Sequence, residues 1–430
     1  MADKYQVIIV GAGLAGSAAA FKLAQAGLEV VLIERGQYPG SKNLSGGILY
    51  GGILNELIPA FWEEAPVERS ITKNIVTFLT EQDSFSIETH NNRFSAPPYN
   101  GFSVLRGKFD RWLAEKAEEE GAMLVPGICI DGLVKENGKV IGVKADDEEM
   151  LADVVIAADG VNSFLAREAG LYKDLHKQDV AVGIKELIEL PAGTIEDRFN
   201  LTGKEGTAYG IIGYATAGQA GGAFLYTNKE SISVGLVIHL DDLLKGKRKA
   251  YDILEDFLEH PRIAPLVRGG KATEYGAHLV QEAGYDNLSR LYDHHLLVVG
   301  EAAGLLANNG LVIRGMDLAI GSGMLAAEAV LQAFDRNDFS ADALSSYQKA
   351  MEQSFILKDM KTYSKAPGFM KGHRLYQQYP DMVTGLMEKI YAQDCSPKEN
   401  IYKIALNQMK ESQISLLNLA GDGRKGLFWL

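Results

Sequence analysis

Residues 7–16 read VIIVGAGLAG: an apolar run, then glycines at 11, 13 and 16. The β-branched stretch from Tyr5 to Val10 predicts a buried parallel strand. The following SAAAFKLAQAG sets helix formers on a helical period and stops at Gly27, a C-cap residue. LEVVLIE then predicts a second strand ending at Glu34. Strand, glycine turn, helix, strand and acid within about 30 residues form a dinucleotide-binding unit. Gly11 permits the tight turn, Gly13 admits a pyrophosphate to the backbone, and Gly16 lets the helix pack on the strand. Ala12, Leu14 and Ala15 complete the turn, where free N–H groups and the helix dipole favour phosphate. Glu34, with Arg35 after it, is placed to accept ribose hydroxyls.

The whole chain bounds what that unit can serve. Its 430 residues predict two or three lobes. A net charge of −13 argues against a nucleic-acid partner, which needs a basic surface. Cys129 and Cys395 are too few for a disulfide framework or a Cys-ligated cluster. No signal-peptide pattern opens the sequence, and no uninterrupted apolar run reaches the roughly 18–20 residues of a membrane span. A cytoplasmic protein, peripheral on the cytoplasmic face of the inner membrane, is expected.

Two distant segments look like returns to the same nucleotide. ADVVIAADGVNSFLAREAG (152–170) is a strand ending at Asp159-Gly160, then a helix start. HHLLVVGEAAGLLANNGLVIRGMDLAIGSGMLAAEAVLQAF (294–334) is a strand ending at Gly300-Glu301, a glycine-rich turn through Gly310, then a long helix of small residues. In this order they resemble the fingerprints of the flavoprotein hydroxylase-like superfamily, which implies FAD. The resemblance also implies that the acid of the last motif meets the FAD ribityl chain. Glu301 stands where that family usually has Asp.

Four further features narrow the resemblance: SKNLSGGILYGG (41–52), LRGKFDRWLAEKAEEEGA (105–122), IRGMDLAIGSGMLAAEAV (313–330) and the scarcity of cysteine. Together they resemble the FixC family, relatives of the electron transfer flavoprotein–quinone oxidoreductases, over residues 1 to about 350. Geranylgeranyl reductases, which saturate prenyl double bonds, share the architecture. Aromatic hydroxylases of the same superfamily are a third reading. The FixC resemblance implies two electron transfer flavoprotein subunits (FixA- and FixB-like) as partners. It also implies a small ferredoxin-like 4Fe–4S subunit (FixX-like) and menaquinone or ubiquinone as acceptor, in an NADH-dependent electron-bifurcating complex. It places Ser45, Gly46 and Gly47 near the flavin ring and adds Arg106, ahead of a helix bearing Phe109, Trp112 and Leu113, to the cofactor residues.

The expected fold is α/β: a Rossmann-like FAD domain of the hydroxylase type, an inserted antiparallel sheet, and a helical C-terminal region. The FAD domain is discontinuous (1–75, 100–175, 285–350), the quinone or substrate domain covers 76–99 and 176–284, and 351–430 meets a partner or membrane. NIVTFLTEQDSFSIET alternates as a strand, and residues 252–262 predict a helix. Tyr209, Tyr214 and Tyr226, among small residues, suit a quinone headgroup; core packing explains the same tyrosines. Lys358, Lys361, Lys365, Lys371 and Arg374 beside Phe369 and Met370 suit an anionic membrane surface or a docking partner. The histidines have no metal-ligand spacing, so no metal is assigned. No catalytic base is assigned either, because the hard chemistry would belong to the flavin.

Overall fold

The computed structural model describes residues 4–43, 46–172, 176–282 and 284–430. A five-stranded parallel sheet runs in the spatial order Met123–Pro126, Val30–Glu34, Lys4–Val10, Glu148–Ala157, Leu296–Val298. The central stretches of its strands are apolar because both faces are covered there, as parallel sheets require. An antiparallel hairpin, Gly132–Glu136 with Lys139–Ala145, extends from the strand that follows it. The nucleotide helix Leu14–Gln25 crosses one face, and Gly27 closes it at φ +85°. The helix Met316–Arg336 lies against it so closely that a Cβ on Gly323 would stand 2.1 Å from the Ala15 carbonyl oxygen. By length and composition this helix could cross a membrane, but two-thirds of its most apolar window is buried in the protein. It is a core helix here.

The second sheet has nine strands, mostly antiparallel, and Val180–Glu189, Ser231–His239 and Gly221–Thr227 lie adjacent within it. One face buries Ile184, Leu225, Val234 and Leu236 beneath the helix Ala250–Glu259. The opposite face carries Lys185, Phe224, Tyr226 and Ser233, by the period of two along each strand.

Several boundaries differ from the sequence reading. All of Val67–Leu79, together with Ile48–Tyr50 and Gly101–Val104, joins the second sheet, whereas the sequence puts 1–75 and 100–175 in the FAD lobe. Strand pairing decides membership, and pairing partners lie far away in sequence. The alternating stretch after Asn74 is two strands, Val67–Leu79 and Ser84–His90, because the polar run at 80–83 turns back. There the Asp83 N–H donates to the Thr80 hydroxyl at 3.0 Å. The helix expected at 252–262 occupies Ala250–Glu259 and stops before Pro261, whose preceding residue is biased away from helix. Arg106 lies within the first turn of the helix Arg106–Glu119 rather than ahead of it.

Candidate active site

The glycine turn meets each steric demand of a pyrophosphate cradle. Gly11 has φ +107°, and a Cβ there would lie 2.3 Å from the Ala158 carbonyl oxygen. A Cβ on Gly16 would lie 2.0 Å from the Gly11 carbonyl oxygen. At Gly13 a Cβ would meet nothing within 4 Å. Gly13 is also the N-cap, with no side chain capping the helix and no acid in its first turn. Open space therefore lies against uncapped N–H groups, as an anionic ligand needs. Leu14 and Ala15 face inward to the core.

Glu34 ends its strand almost fully buried. Its carboxylate accepts the Ala12 N–H at 3.1 Å and the Gly36 N–H at 2.6 Å. It thus braces the glycine turn from the strand end that the sequence reading assigns to the ribose hydroxyls. Arg35 points to solvent. The sequence-predicted Asp159 takes the Ser163 hydroxyl at 2.6 Å and the Leu165 N–H at 3.2 Å, so it caps the short helix Phe164–Glu168. Burial pushes its carboxyl above the usual range, against those hydrogen bonds. Gly160, at φ +80°, leaves open space beside it.

Gly300 sits against the nucleotide helix: a Cβ there would be 2.8 Å from the Ala15 Cβ. Its N–H donates to the Ser322 hydroxyl at 2.9 Å. The next residue, Glu301, is half-buried, with an oxygen 3.9 Å from His278 Nε2 of the second sheet. Arg106 binds Asp110 through two hydrogen bonds of 2.6 and 2.7 Å. Burial disfavours its charge, but Asp110 and the nearby Glu301 outweigh that and hold it protonated.

Gly46 and Gly47 lie against the second sheet and the start of the long helix, at φ +84° and +156°. A Cβ on Gly46 would strike Ser233, and one on Gly47 would come within 3.0 Å of Met316 Cε. Ser45 lies outside the described residues. Gly310, by contrast, is exposed and faces Met370 and Leu430 in the C-terminal region.

The three tyrosines proposed for a quinone separate. Tyr209 is fully buried in the core on the helix-covered face, and its hydroxyl has no partner among the described residues. Tyr214 packs at the edge of the same core, its ring 5.6 Å from that of His260. Only Tyr226 faces the cofactor lobe. It stacks on Phe224 at 5.0 Å and lies within electrostatic reach of Tyr50. Burial, together with Asp317, pushes the Tyr50 hydroxyl up to about 12, opposed by Arg314. Arg314 pairs with both Asp317 and Asp359, which fixes the start of the long helix beside Gly47.

Lys185 and Tyr50 were not found from sequence. Lys185 Nζ donates to the Gly46 carbonyl oxygen at 2.7 Å and lies 5.6 Å from the Phe224 ring centroid. The available signal was a lone cation, beside Glu186, in the strand AVGIKELIEL, on the face opposite Ile184 and Ile188.

Nucleotide cradle, covered parallel sheet and a second sheet closing over the glycine strip define an FAD-dependent oxidoreductase. Family models agree in three places. FAD dependent oxidoreductase matches residues 6–86, the ubiquinone-binding region of ETF-QO matches 180–280, and the ETF-QO/FixC family C-terminal domain matches 366–430. The chain is 46% identical to protein FixC of Escherichia coli (strain K12), over 99% of both chains. It is 45% identical to that strain's "Probable electron transfer flavoprotein-quinone oxidoreductase YdiS", over 99% of this chain and 98% of the other. Among solved structures, a geranylgeranyl bacteriochlorophyll reductase-like protein from Thermoplasma acidophilum superposes with a TM-score of 0.71 at 25% identity, covering 96% and 97% of the two chains. A flavin-dependent brominase shares the fold at 0.63 and 18%, covering 95% and 99%. The chain belongs to the FixC family of electron transfer flavoprotein–quinone oxidoreductases; its cofactor is FAD and a quinone is its partner.

Proposed function

We propose that this chain is the FAD-bearing subunit through which an electron transfer flavoprotein, acting with a small ferredoxin-like 4Fe–4S partner, reduces a membrane menaquinone or ubiquinone. The complex is of the NADH-dependent bifurcating kind, and NADH is oxidised on the partner flavoprotein. The observation that carries the reading is the aromatic wall of Phe224 and Tyr226. It lies within the 180–280 ubiquinone-binding match and faces the lobe that holds the glycine cradle. FAD, when bound, takes electrons singly or in pairs and can pass two to a quinone. The chain's own residues hold it: Gly11, Gly13 and Gly16 admit the pyrophosphate, Glu34 takes the ribose, and Gly46–Gly47 keep bulk away from the ring. Two cysteines are too few to ligate a 4Fe–4S cluster within this sequence, which supports a cluster on the partner.

The chain also works at a membrane surface in this reading. Arg374 and Lys371 of the basic stretch pair with Asp422 and Asp179, so that stretch is partly neutralised. The more open apolar surface is on the last helix, Leu416–Trp429, where Leu427 and Phe428 are 79% and 73% exposed. Leu430, just beyond it, rests on Gly310, and Leu311 next to that glycine is also exposed.

The test is stopped-flow reduction of the purified holo-chain by NADH, with and without the flavoprotein pair and the ferredoxin-like subunit. The flavin should bleach slowly or not at all with NADH alone. With partners it should bleach and recover on adding a quinone analogue. Rapid direct bleaching by NADH or NADPH would place a nicotinamide site on this chain and overturn the reading in favour of a hydroxylase or prenyl reductase.

A further inference from the structure

We propose that Lys185 is the proton donor to the quinone, delivering one of the two protons that its reduction consumes. The inference deepens the quinone reading and rests on it. Lys185 projects from Val180–Glu189 toward the cofactor lobe, at the seam where the Gly46 loop meets the second sheet. Its one hydrogen-bond acceptor among the described residues is the neutral Gly46 carbonyl at 2.7 Å, and it makes no ion pair within 4 Å there. The aromatic wall is beside it, with the Phe224 ring centroid 5.6 Å from Nζ and Tyr226 stacked on Phe224. A headgroup lying on that wall would be within reach of an ammonium that still has N–H bonds to spare.

The surrounding charges favour release of the proton. Burial and the Arg106 guanidinium push the Lys185 ammonium down to about 7, with Glu274 opposing. His278 and Glu301 lie across the seam 3.9 Å from each other. Arg314 with Asp317 stands at the start of the long helix, and Tyr50 and Tyr226 close the remaining side with hydroxyls that burial keeps protonated. A group poised near neutral pH is suited to general-acid work, whereas an ordinary lysine holds its proton too tightly. The step balances simply. The reduced flavoprotein donor supplies two electrons, a Lys185 N–H bond breaks as a quinol O–H bond forms, and water supplies the second proton. The neutral amine then regains its proton from solvent.

The experiment uses the FAD-loaded chain, its flavoprotein donor, the ferredoxin-like subunit and decyl-ubiquinone, across pH 5–10. In the native chain turnover should fall above about pH 7, as the ammonium is lost. K185M, checked for full visible flavin absorbance, should lose about a hundredfold or more in kcat, with that limb gone. K185R should keep FAD but turn over about as slowly as K185M, with no fall up to pH 10, because a guanidinium holds its proton more tightly than an ordinary lysine. Independently of turnover, carbon-13 dimethylation should reveal one lysine resonance titrating near neutral pH in the cofactor-free chain and missing in K185M. Native turnover with an unchanged K185M profile would overturn the proposal and leave the quinone reading standing. Absence of a lysine titrating near neutral pH would also overturn it. No quinone reduction by the native chain with its donor would overturn both.

Discussion

The Glu34 carboxylate accepts the N–H of Ala12, twenty-two residues earlier, at 3.1 Å. The acid expected to bind ribose is therefore also a brace for the turn that cradles the pyrophosphate. Its second oxygen takes the Gly36 N–H at 2.6 Å. Glu34→Ala removes the ribose acceptor and leaves two nearby N–H groups without a partner. FAD binding should weaken by about 1–3 kcal/mol, the range for a charge-assisted hydrogen bond. Glu34→Gln retains one acceptor oxygen and should lose less. Fluorescence titration of the cofactor-free chains with FAD measures both. Unchanged affinity in Glu34→Ala would mean that the ribose is held elsewhere.

The three glycines of the turn should separate by experiment. A Cβ on Gly13 meets open space, and its φ of −76° suits any residue. Gly13→Val should thus fold with a near-native melting temperature yet purify colourless, its side chain filling the pyrophosphate position. On Gly16 a Cβ would collide with the Gly11 backbone at 2.0 Å, which cannot move aside cheaply. Gly16→Val should lower the melting temperature as well as FAD content. Circular dichroism melts and visible absorbance distinguish the two. A yellow Gly13→Val protein with full occupancy would remove the pyrophosphate from this turn.

Much of this unit was legible because its logic is local. One strand, one turn and one helix carry their own period, punctuation and caps in consecutive residues. The Gly300–Glu301 and Asp159–Gly160 turns were legible as strand ends, but their hydrogen bonds were not. Asp159 spends both oxygens on the helix that follows it. The aromatic wall proposed for the quinone was half legible. Tyr209 and Tyr226 look alike in sequence, but Tyr209 pairs with Leu225 and so shares its core-facing side, while Tyr226 is one residue on and faces the other way. That parity is set by register between strands. Lys185 was hidden for the same reason, since its significance comes from Gly46 and Phe224, both distant in sequence.

The tyrosines give a direct comparison. Tyr209→Phe deletes a buried hydroxyl that has no partner among the described residues, so stability should hold or rise and the quinone KM should not move. Tyr209→Ala should cost about 3–5 kcal/mol, as for other large aromatic deletions in cores. Tyr226→Ala should leave FAD content intact and raise the quinone KM. Urea unfolding and steady-state kinetics with the flavoprotein donor test the pair. A KM change in Tyr209→Phe with none in Tyr226→Ala would put the headgroup on the other face of the sheet.

Lys185 also makes a stability prediction for the cofactor-free chain. In the unfolded chain its ammonium titrates at the ordinary lysine value of about 10.4, whereas burial and Arg106 lower it to about 7 in the fold. Between these values the unfolded state binds more protons, so the lysine's penalty eases as pH rises. Below about pH 7 both states are charged and the penalty is full. Lys185→Met should therefore be more stable than the native chain at pH 6, with the advantage shrinking toward pH 10. Urea midpoints across that range check it; an advantage that grows with pH would reverse the sign of the shift.

The last helix should decide how the chain meets its quinone. Leu427 and Phe428 project into solvent, Leu416 and Leu417 at its start are 62% and 85% exposed, and Lys425 lies over the Trp429 ring. Exposed leucine and phenylalanine beside a cation suit the interfacial zone of an anionic bilayer. Leu427→Ser with Phe428→Ser removes large apolar side chains that support no core, so folding and FAD content should be unchanged. Flotation with vesicles of phosphatidylglycerol and phosphatidylethanolamine should recover the native chain with lipid and leave the double variant largely in the soluble fraction. Quinone reduction should then fall for acceptors confined to vesicles and persist for soluble analogues. Equal flotation of both proteins, or a matched loss with soluble and vesicle-bound quinone, would move the membrane contact away from this helix.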